Sequence, residues 1–171
     1  MRSWRMRGLC RGIALLKIKM FYKGDIHNRK GDYGEQLIID LLESKGCRLI
    51  EKHNDEPHKI DFLFSGTHFP PNRFYVEVKT KSHREYYQDV GINKNSHYFY
   101  SELQKIFPVW LFFVDSTAGE IYGQDLKVLD NAGEFYPIED KGVIYYPLNR
   151  MIRLRKLSKK EIGTLKELSF A

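Results

Sequence analysis

A chain of 171 residues, of which 42% are hydrophobic and 14% aromatic, can bury the core of one domain and is not a low-complexity chain. The net charge of the chain is +6. Its two cysteines do not have the spacing of a disulfide framework or a zinc site. No apolar run reaches the length of a membrane-spanning helix, about 18 residues. These features exclude a disulfide-rich secreted protein and a helical membrane protein, and predict a soluble, cytoplasmic domain.

The positive charge is concentrated at the start of the chain. Residues 1–19 contain six of the 28 basic side chains and no acidic one, which leaves 22 basic and 22 acidic residues in the remainder. We predict a basic tail over residues 1–22, either disordered or the product of a mis-assigned translation start. Residues 23–171 are predicted to form one domain, whose overall charge says little about its partners.

A first helix is predicted from Asp32 to Gly46. Apolar residues recur there on one side of the helix, and Gly46 suits the position after a helix end. Glu35 near its start has two interpretations. It could cap the helix in the spacing Asp32-x-x-Glu35, or it could lean toward the buried side as a functional acid.

Three β-strands follow this helix. They are predicted at Cys47–Glu51, Ile60–Phe64 and Phe74–Thr80, and residues 65–73 hold the Gly and paired Pro of a turn. The second and third strands are therefore expected to pair antiparallel.

The second half continues the alternation of helix and strand. A helix is predicted over residues 92–106, and Val109–Val114 reads as a central strand buried on both faces. Further strands are predicted at Glu120–Tyr122, Val143–Tyr146 and Arg150–Arg155. Ser158-x-x-Glu161 has the spacing of a capping box and predicts a short last helix through Leu168.

The third strand carries charged residues on one face. Because side chains alternate along a strand, Glu77, Lys79 and Lys81 point one way, while Val76 and Val78 point into the core. Such a strand could hold a surface salt bridge, or it could present a carboxylate and an amine for catalysis.

Asp61 favours the catalytic interpretation. It interrupts an apolar strand, where an acid is disfavoured unless it is paired or bound to a metal. Antiparallel pairing of the two strands would bring Asp61 beside Glu77. Two close carboxylates repel each other, and a divalent cation relieves that repulsion.

The order of these residues carries a resemblance to a known family. A helical Glu35, then Asp61 on a strand, then Glu77-x-Lys79 on the next strand, resembles the PD-(D/E)XK, or restriction-endonuclease-like, superfamily, which includes archaeal Holliday-junction resolvases. The resemblance covers about residues 30–115. Ile60 stands where that motif has its proline.

This resemblance implies an α/β (α+β) fold with a mixed central sheet flanked by helices. It also implies that Asp61, Glu77 and the backbone carbonyl of Val78 bind Mg²⁺ or Mn²⁺, and that Lys79 lies at the attacking water. Glu35 would be a further catalytic acid.

Contacts with nucleic acid are predicted next to this centre. Lys81 and Arg84 extend the basic strip of the third strand. Lys94-x-x-x-Tyr98 is similar in spacing to a Gln or Lys and a Tyr that some relatives carry in the following helix. A solvated lysine beside a core tyrosine would have the same pattern.

The leading hypothesis is a metal-dependent nuclease acting on DNA in repair, recombination or defence. RNA is not excluded as a substrate, endonuclease and exonuclease activity are not distinguished, and a homodimer is possible. The alternative is a nucleic-acid-binding module that has this fold but no catalytic activity. A metal-independent RNA-cleaving protein is a third hypothesis, with thin support in His97 and Tyr98.

Overall fold

The structure is a computed structural model that describes residues 23–53, 60–67, 72–131, 138–140 and 142–170. The predicted basic tail of residues 1–22 lies outside the described residues. None of the helices in the described part of the chain combines the length and apolar character of a membrane span.

Nine strands and four helices make up the described part. The strands are β1 Arg48–Lys52, β2 Phe62–Ser65, β3 Arg73–Lys81, β4 Asp89–Asn93, β5 Val109–Asp115, β6 Glu120–Asp125, β7 Ile138–Asp140, β8 Val143–Pro147 and β9 Ile152–Lys156. The helices are α1 Lys23–Ser44, α2 Lys94–Leu103, α3 Leu126–Asp130 and α4 Lys159–Phe170.

A six-stranded mixed sheet forms the centre of the domain. Its strand order is β1-β2-β3-β5-β6-β9, with β3 and β5 parallel and all other neighbours antiparallel. The predicted antiparallel pairing of β2 with β3 is confirmed, and so is the central position of Val109–Val114 in β5. The predicted fold class, a mixed sheet flanked by helices, is therefore confirmed.

One face of this sheet packs against α1 and α4. The apolar side of α1 contacts the alternate residues of β3 and β5 that point toward it, as the period of two in a strand requires. The buried residues of this cluster include Leu37, Ile38, Leu41, Val76, Val78, Phe112, Val114 and Leu165.

The opposite face is covered by α2, α3 and a second sheet. This sheet has three strands in the order β4-β8-β7. Its buried side chains meet the odd-numbered residues of β5 in a second core, which includes Val90, Ile92, Tyr100, Leu111, Phe113, Leu126, Ile144 and Tyr146. The face of β3 that carries Glu77 is thus enclosed.

The sequence did not predict β4, β7 or α3, and it placed the start of the second helix too early. Ile92 pairs with Ile144 of β8 instead of lying in the helix. Asn93 is the N-cap of α2, because its side chain accepts a hydrogen bond from the Asn95 N–H at 2.9 Å.

The first helix also differs from the prediction. It begins at Lys23, so Glu35 lies in its middle, and the capping-box interpretation of Asp32 and Glu35 is wrong. The capping box of the last helix is confirmed. Ser158 N–H donates to Glu161 Oε2 at 2.7 Å, and Glu161 N–H donates to Ser158 Oγ at 3.2 Å.

Gly34 allows α1 to approach β3 closely. A Cβ at this position would fall 1.7 Å from Thr80 Oγ1 and 2.9 Å from Thr80 Cβ. A Cβ at Gly31, one turn earlier in the same helix, would meet nothing within 4 Å. The two glycines therefore have different reasons to be in the helix, and only Gly34 is required by packing.

We expect Gly31→Ala and Gly34→Ala to have opposite effects on stability. Alanine at residue 31 should raise the free energy of unfolding by up to about 1 kcal/mol, because glycine is a poor helix former. Alanine at residue 34 should lower it by about 1–3 kcal/mol, because α1 and Thr80 must move apart. Urea denaturation of both variants measures this, and equal effects would contradict the close contact.

Candidate active site

The register of β2 and β3 brings Asp61 and Glu77 together. Phe62 pairs with Val76, so Asp61, one residue before β2, lies opposite Glu77. The N–H of Val78 donates to Asp61 Oδ2 at 2.6 Å, which ties this carboxylate to β3. The carbonyl of Asp61 accepts a hydrogen bond from the His53 N–H at 2.9 Å, which fixes its backbone as well.

Glu77 is a buried carboxylate with a cation beside it. Its side chain is 2% exposed, and its Oε1 forms an ion pair with Lys79 Nζ. Oε2 of the same carboxylate has no hydrogen-bond partner with normal geometry in the described part of the chain. A buried oxygen of this kind costs free energy unless something else occupies its lone pairs.

Glu35 is the third acid near this point. It lies inside α1 and forms an ion pair with Lys52 Nζ of β1 at 3.1 Å. It is close enough to Asp61 and Glu77 to raise the pKa of both by charge repulsion. The three acids predicted from the sequence thus share one electrostatic site.

The two facing carboxylates have unusual proton affinities. Burial raises the pKa of Asp61 to about 8, with repulsion from Glu77 as the second cause, although the Val78 N–H opposes both. Burial also raises the pKa of Glu77, while Lys79 opposes the shift. In the metal-free protein, Asp61 therefore carries a proton at neutral pH.

The two lysines of β3 differ in their electrostatics. Burial lowers the pKa of Lys79, but its ion pair and hydrogen bond with Glu77 raise it by more, so Lys79 is a firmly charged amine. Burial and repulsion by Lys79 lower the pKa of Lys81 to about 8. Lys81 Nζ donates to the Gly91 carbonyl and lies 5.7 Å from the centre of the Phe113 ring.

The residues around Asp61 and Glu77 fit a divalent cation. The unpartnered Oε2 of Glu77 and the repulsion between the carboxylates are both relieved by a cation that prefers oxygen ligands. No set of three or more His, Cys, Asp or Glu side chains in the described ranges is arranged as metal ligands. Glu35 is held by Lys52, so further ligands must come from backbone carbonyls or water.

The other predicted contact residues are partly engaged within the protein. Arg84 Nε donates to Asp89 Oδ1 at 2.7 Å, and its guanidinium stacks 3.8 Å from the centre of the Tyr145 ring. Lys94 Nζ lies 5.9 Å from the centre of the Tyr98 ring. Tyr98 is 58% exposed, so its interpretation as a core tyrosine is wrong.

Sequence reasoning missed Tyr100. This tyrosine lies at the site, whereas Tyr98 points to solvent. Tyr100 is 2% exposed, and its hydroxyl lies close enough to Glu77 and Ser96 to influence the pKa of Glu77 and to have its own pKa raised. Ser96 and Tyr100 share a helix face because they are four residues apart, the same spacing as Lys94 and Tyr98. Knowledge that α2 begins after Asn93 would have identified this pair.

Comparison with known proteins identifies the fold. No protein-family model matches the chain, and no curated protein matches it either. Among solved structures, the chain is similar to Archaeoglobus fulgidus Hjc, a Holliday junction resolvase from an archaeal hyperthermophile. The TM-score is 0.54 at 8% sequence identity, over 72% of this chain and 95% of that chain. The chain therefore has a restriction-endonuclease-like fold.

The pKa of Asp61 makes stability depend on pH. The folded state holds the proton up to pH about 8, whereas an ordinary aspartate has a pKa of 3.8. The stability that this proton provides is complete below about pH 4 and is lost as the pH rises to about 8. In EDTA, Asp61→Asn should abolish this loss and raise the free energy of unfolding by about 2–4 kcal/mol at pH 8.5. The free energy of unfolding of the wild type and of Asp61→Asn, measured by denaturation at pH 5 and 8.5, tests this prediction. An equal fall in both proteins between the two pH values would contradict it.

Tyr100→Phe should change the proton affinity of Glu77. The Tyr100 hydroxyl stabilises the carboxylate, so its removal should raise the pKa of Glu77 further. Carboxyl ¹³C NMR titration of the metal-free protein measures this shift. Tyr98→Phe is the matched control and should leave the titration unchanged, because Tyr98 is exposed. An unchanged titration in Tyr100→Phe would show that the hydroxyl does not act on Glu77.

Proposed function

We propose that this protein is a metal-dependent nuclease that hydrolyses DNA phosphodiester bonds. The observation that carries the proposal is the unpartnered Oε2 of buried Glu77, which lies beside the protonated Asp61 and the charged Lys79. The restriction-endonuclease-like fold supports it, and the similar structure is titled a Holliday junction resolvase. These residues have the chemistry to hold a cation and a water molecule at a phosphate.

The metal site in this proposal consists of Asp61, Glu77 and the backbone carbonyl of Val78. These oxygen ligands suit Mg²⁺ or Mn²⁺. Such an ion would supply positive charge to the phosphate and lower the pKa of a bound water. The Val78 N–H already orients the Asp61 carboxylate, so the chain holds this ligand before any ion arrives.

Lys79 is proposed to donate a hydrogen bond and positive charge to the reacting phosphate and water. Its raised pKa favours a charged donor over a general base. The Tyr100 hydroxyl stabilises the Glu77 carboxylate, and Glu35 adds negative charge that favours cation binding. Glu77 and Tyr100 are buried, where charge is poorly screened, while the side chains of Lys79 and Glu35 are 35% and 21% exposed.

We propose DNA as the substrate, with RNA as a second outcome of the same test. Lys81, Arg84, Lys94 and Tyr98 are proposed contacts for the strand near the centre. The protein would work in the cytoplasm, as a monomer or a homodimer.

A nucleic-acid-binding module without catalysis is the second candidate. Tyr86 and Tyr87 are 86% and 60% exposed, and exposed aromatic rings are platforms for base stacking. Such a module would bind DNA with or without a divalent cation. A nuclease would cut only when the cation is present.

The test is incubation of the full chain with supercoiled, linear, branched and single-stranded DNA, and with single-stranded RNA, in Mg²⁺, Mn²⁺ or EDTA. We expect cutting only with a metal, and a loss of about 100-fold or more in Asp61→Asn, Glu77→Gln and Lys79→Met. Glu102→Gln removes an exposed acid of α2 and is the matched control, which should keep full activity. Binding without cutting in every metal would favour the module, and normal cutting by Glu77→Gln would refute the site.

A further inference from the structure

A pocket lined by hydroxyls and lysines lies at the end of β3, on the side of α1 and α4. It has a volume of about 460 Å³, and its polar lining comes from Lys30, Ser82, Ser116, Thr117, Lys166 and Ser169. We call it the hydroxyl pocket. It contains two cationic side chains and four hydroxyls, and no carboxylate lines it in the part of the chain that the structure describes.

A connected series of hydrogen bonds holds the pocket together. Thr117 Oγ1 donates to Ser82 Oγ at 2.7 Å, and Ser82 Oγ lies 3.2 Å from Ser116 Oγ. Lys30 Nζ donates to Ser116 Oγ at 3.1 Å. A lysine amine has three N–H donors, so two donors of Lys30 remain for a ligand.

No carboxylate in the described part of the chain forms an ion pair with Lys30. Burial lowers its pKa, and attraction by Asp115 opposes the shift. Both oxygens of Asp115 are already used. Oδ1 accepts the N–H groups of Thr117 at 2.9 Å and Ala118 at 3.0 Å, and Oδ2 lies 2.6 Å from His83 Nδ1.

The same Asp115 fixes the shape of the pocket. It is fully buried, and it ties the turn after β5 to the segment after β3. Ser82 lies in that segment and Ser116 in that turn. The hydroxyls are therefore oriented before any ligand binds, which lowers the cost of binding.

A phosphate group matches this lining. Its oxygens accept hydrogen bonds from hydroxyls and amines, and its negative charge would compensate the partly buried Lys30. A metal cation is unsuited, because the pocket has positive side chains and no acid.

The position of the pocket relates it to the candidate active site. Ser82 follows Lys79 by three residues, so the two positions are no more than about 10 Å apart along the chain. A DNA strand rises about 3.4 Å per nucleotide along the helix axis, so that distance covers at most about three nucleotides. We propose that the hydroxyl pocket binds a phosphate of the nucleic-acid strand a few nucleotides from the bond to be cut. The assignment to a strand rests on the proposed function, whereas the affinity for phosphate does not.

The experiment compares the full chain with Lys30→Gln and a matched control, Lys160→Gln. Lys160 is exposed on α4 and does not line the pocket. In EDTA, fluorescence anisotropy with a labelled DNA duplex should show about three- to tenfold weaker binding by Lys30→Gln, and a salt slope smaller by about 1. Lys160→Gln should stay within about twofold. Equal effects of the two variants, or an unchanged slope in Lys30→Gln, would overturn the proposal.

A second arm uses inorganic phosphate in place of DNA. In ¹H–¹⁵N NMR, phosphate should shift the amide signals of Ser82, Ser116 and Thr117 in the wild type but not in Lys30→Gln. Phosphate binding without any effect on DNA would assign the pocket to a free anion and refute the strand contact. If the wild type neither binds nor cuts DNA but titrates with phosphate, the nuclease proposal fails and the anion site stands.

Folding is controlled in the same samples. Lys30→Gln keeps a donor for Ser116 and removes a desolvated charge, so its melting temperature should be equal to the wild type or higher. Lys166→Gln changes an exposed lining residue of the pocket and should reproduce the loss of DNA affinity. A normal affinity in Lys166→Gln and Lys30→Gln alike would count against the pocket.

Discussion

Asp61 and Glu77 face each other across the β2–β3 ladder, and the burial of Glu77 and partial burial of Asp61 leave little water to solvate two negative charges. Such a pair can bind a proton, a neighbouring cation or a metal ion, because each option removes part of the repulsion. The metal-free protein reduces the repulsion with a proton and a neighbouring cation. Asp61 keeps its proton to about pH 8, and Glu77 forms an ion pair with the amine of Lys79. The proton on Asp61 and the ion pair with Lys79 leave Oε2 of Glu77 without a hydrogen-bond partner in the described part of the chain.

The rest of the fold keeps this pair poor in water. On one side, Gly34 lets α1 approach Thr80, and the helix then holds Glu35 near the other two acids. On the other side, α2 and the second sheet cover β3, and Tyr100 reaches Glu77. Both layers are therefore part of the electrostatics of the site. A small change in either packing contact should therefore alter the pKa values of Asp61 and Glu77 before it alters the fold.

The central pair could be predicted from the sequence because strands obey a period of two. A short turn between two apolar strands fixes antiparallel pairing, and alternation then decides which side chains share a face. The start of α1 could not be predicted in this way, since residues 23–31 have no apolar stripe and include Gly31. A helix can extend through such residues once its later turns are packed, because propagation costs less than nucleation.

The second sheet was missed for a different reason. Strands β4 and β8 are separated by about 50 residues, and β4 lacks the local pattern that allowed β8 to be predicted. Without β4, the helix prediction began two residues early. The expected aromatic contact, Tyr98, was chosen for its spacing to Lys94, whereas Tyr100 is the tyrosine that lies near Glu77. The pairing of β4 with β8 fixes where α2 begins, and this pairing joins residues too far apart in the sequence for a local pattern to show it.

Residues 20–171 carry equal numbers of basic and acidic side chains, so the positions of the basic ones must explain how the domain could bind a nucleic-acid strand. Lys79, Lys81 and Arg84 each have a partner within the protein, so they stabilise the folded state as well as any bound strand. In the described part of the chain the hydrogen-bond partner of Lys30 is the Ser116 hydroxyl, and burial lowers the pKa of Lys30. A phosphate in the hydroxyl pocket would add a negative charge beside Lys30. Affinity would then depend on a few placed cations instead of on net charge, which limits binding to strands that reach both the pocket and β3.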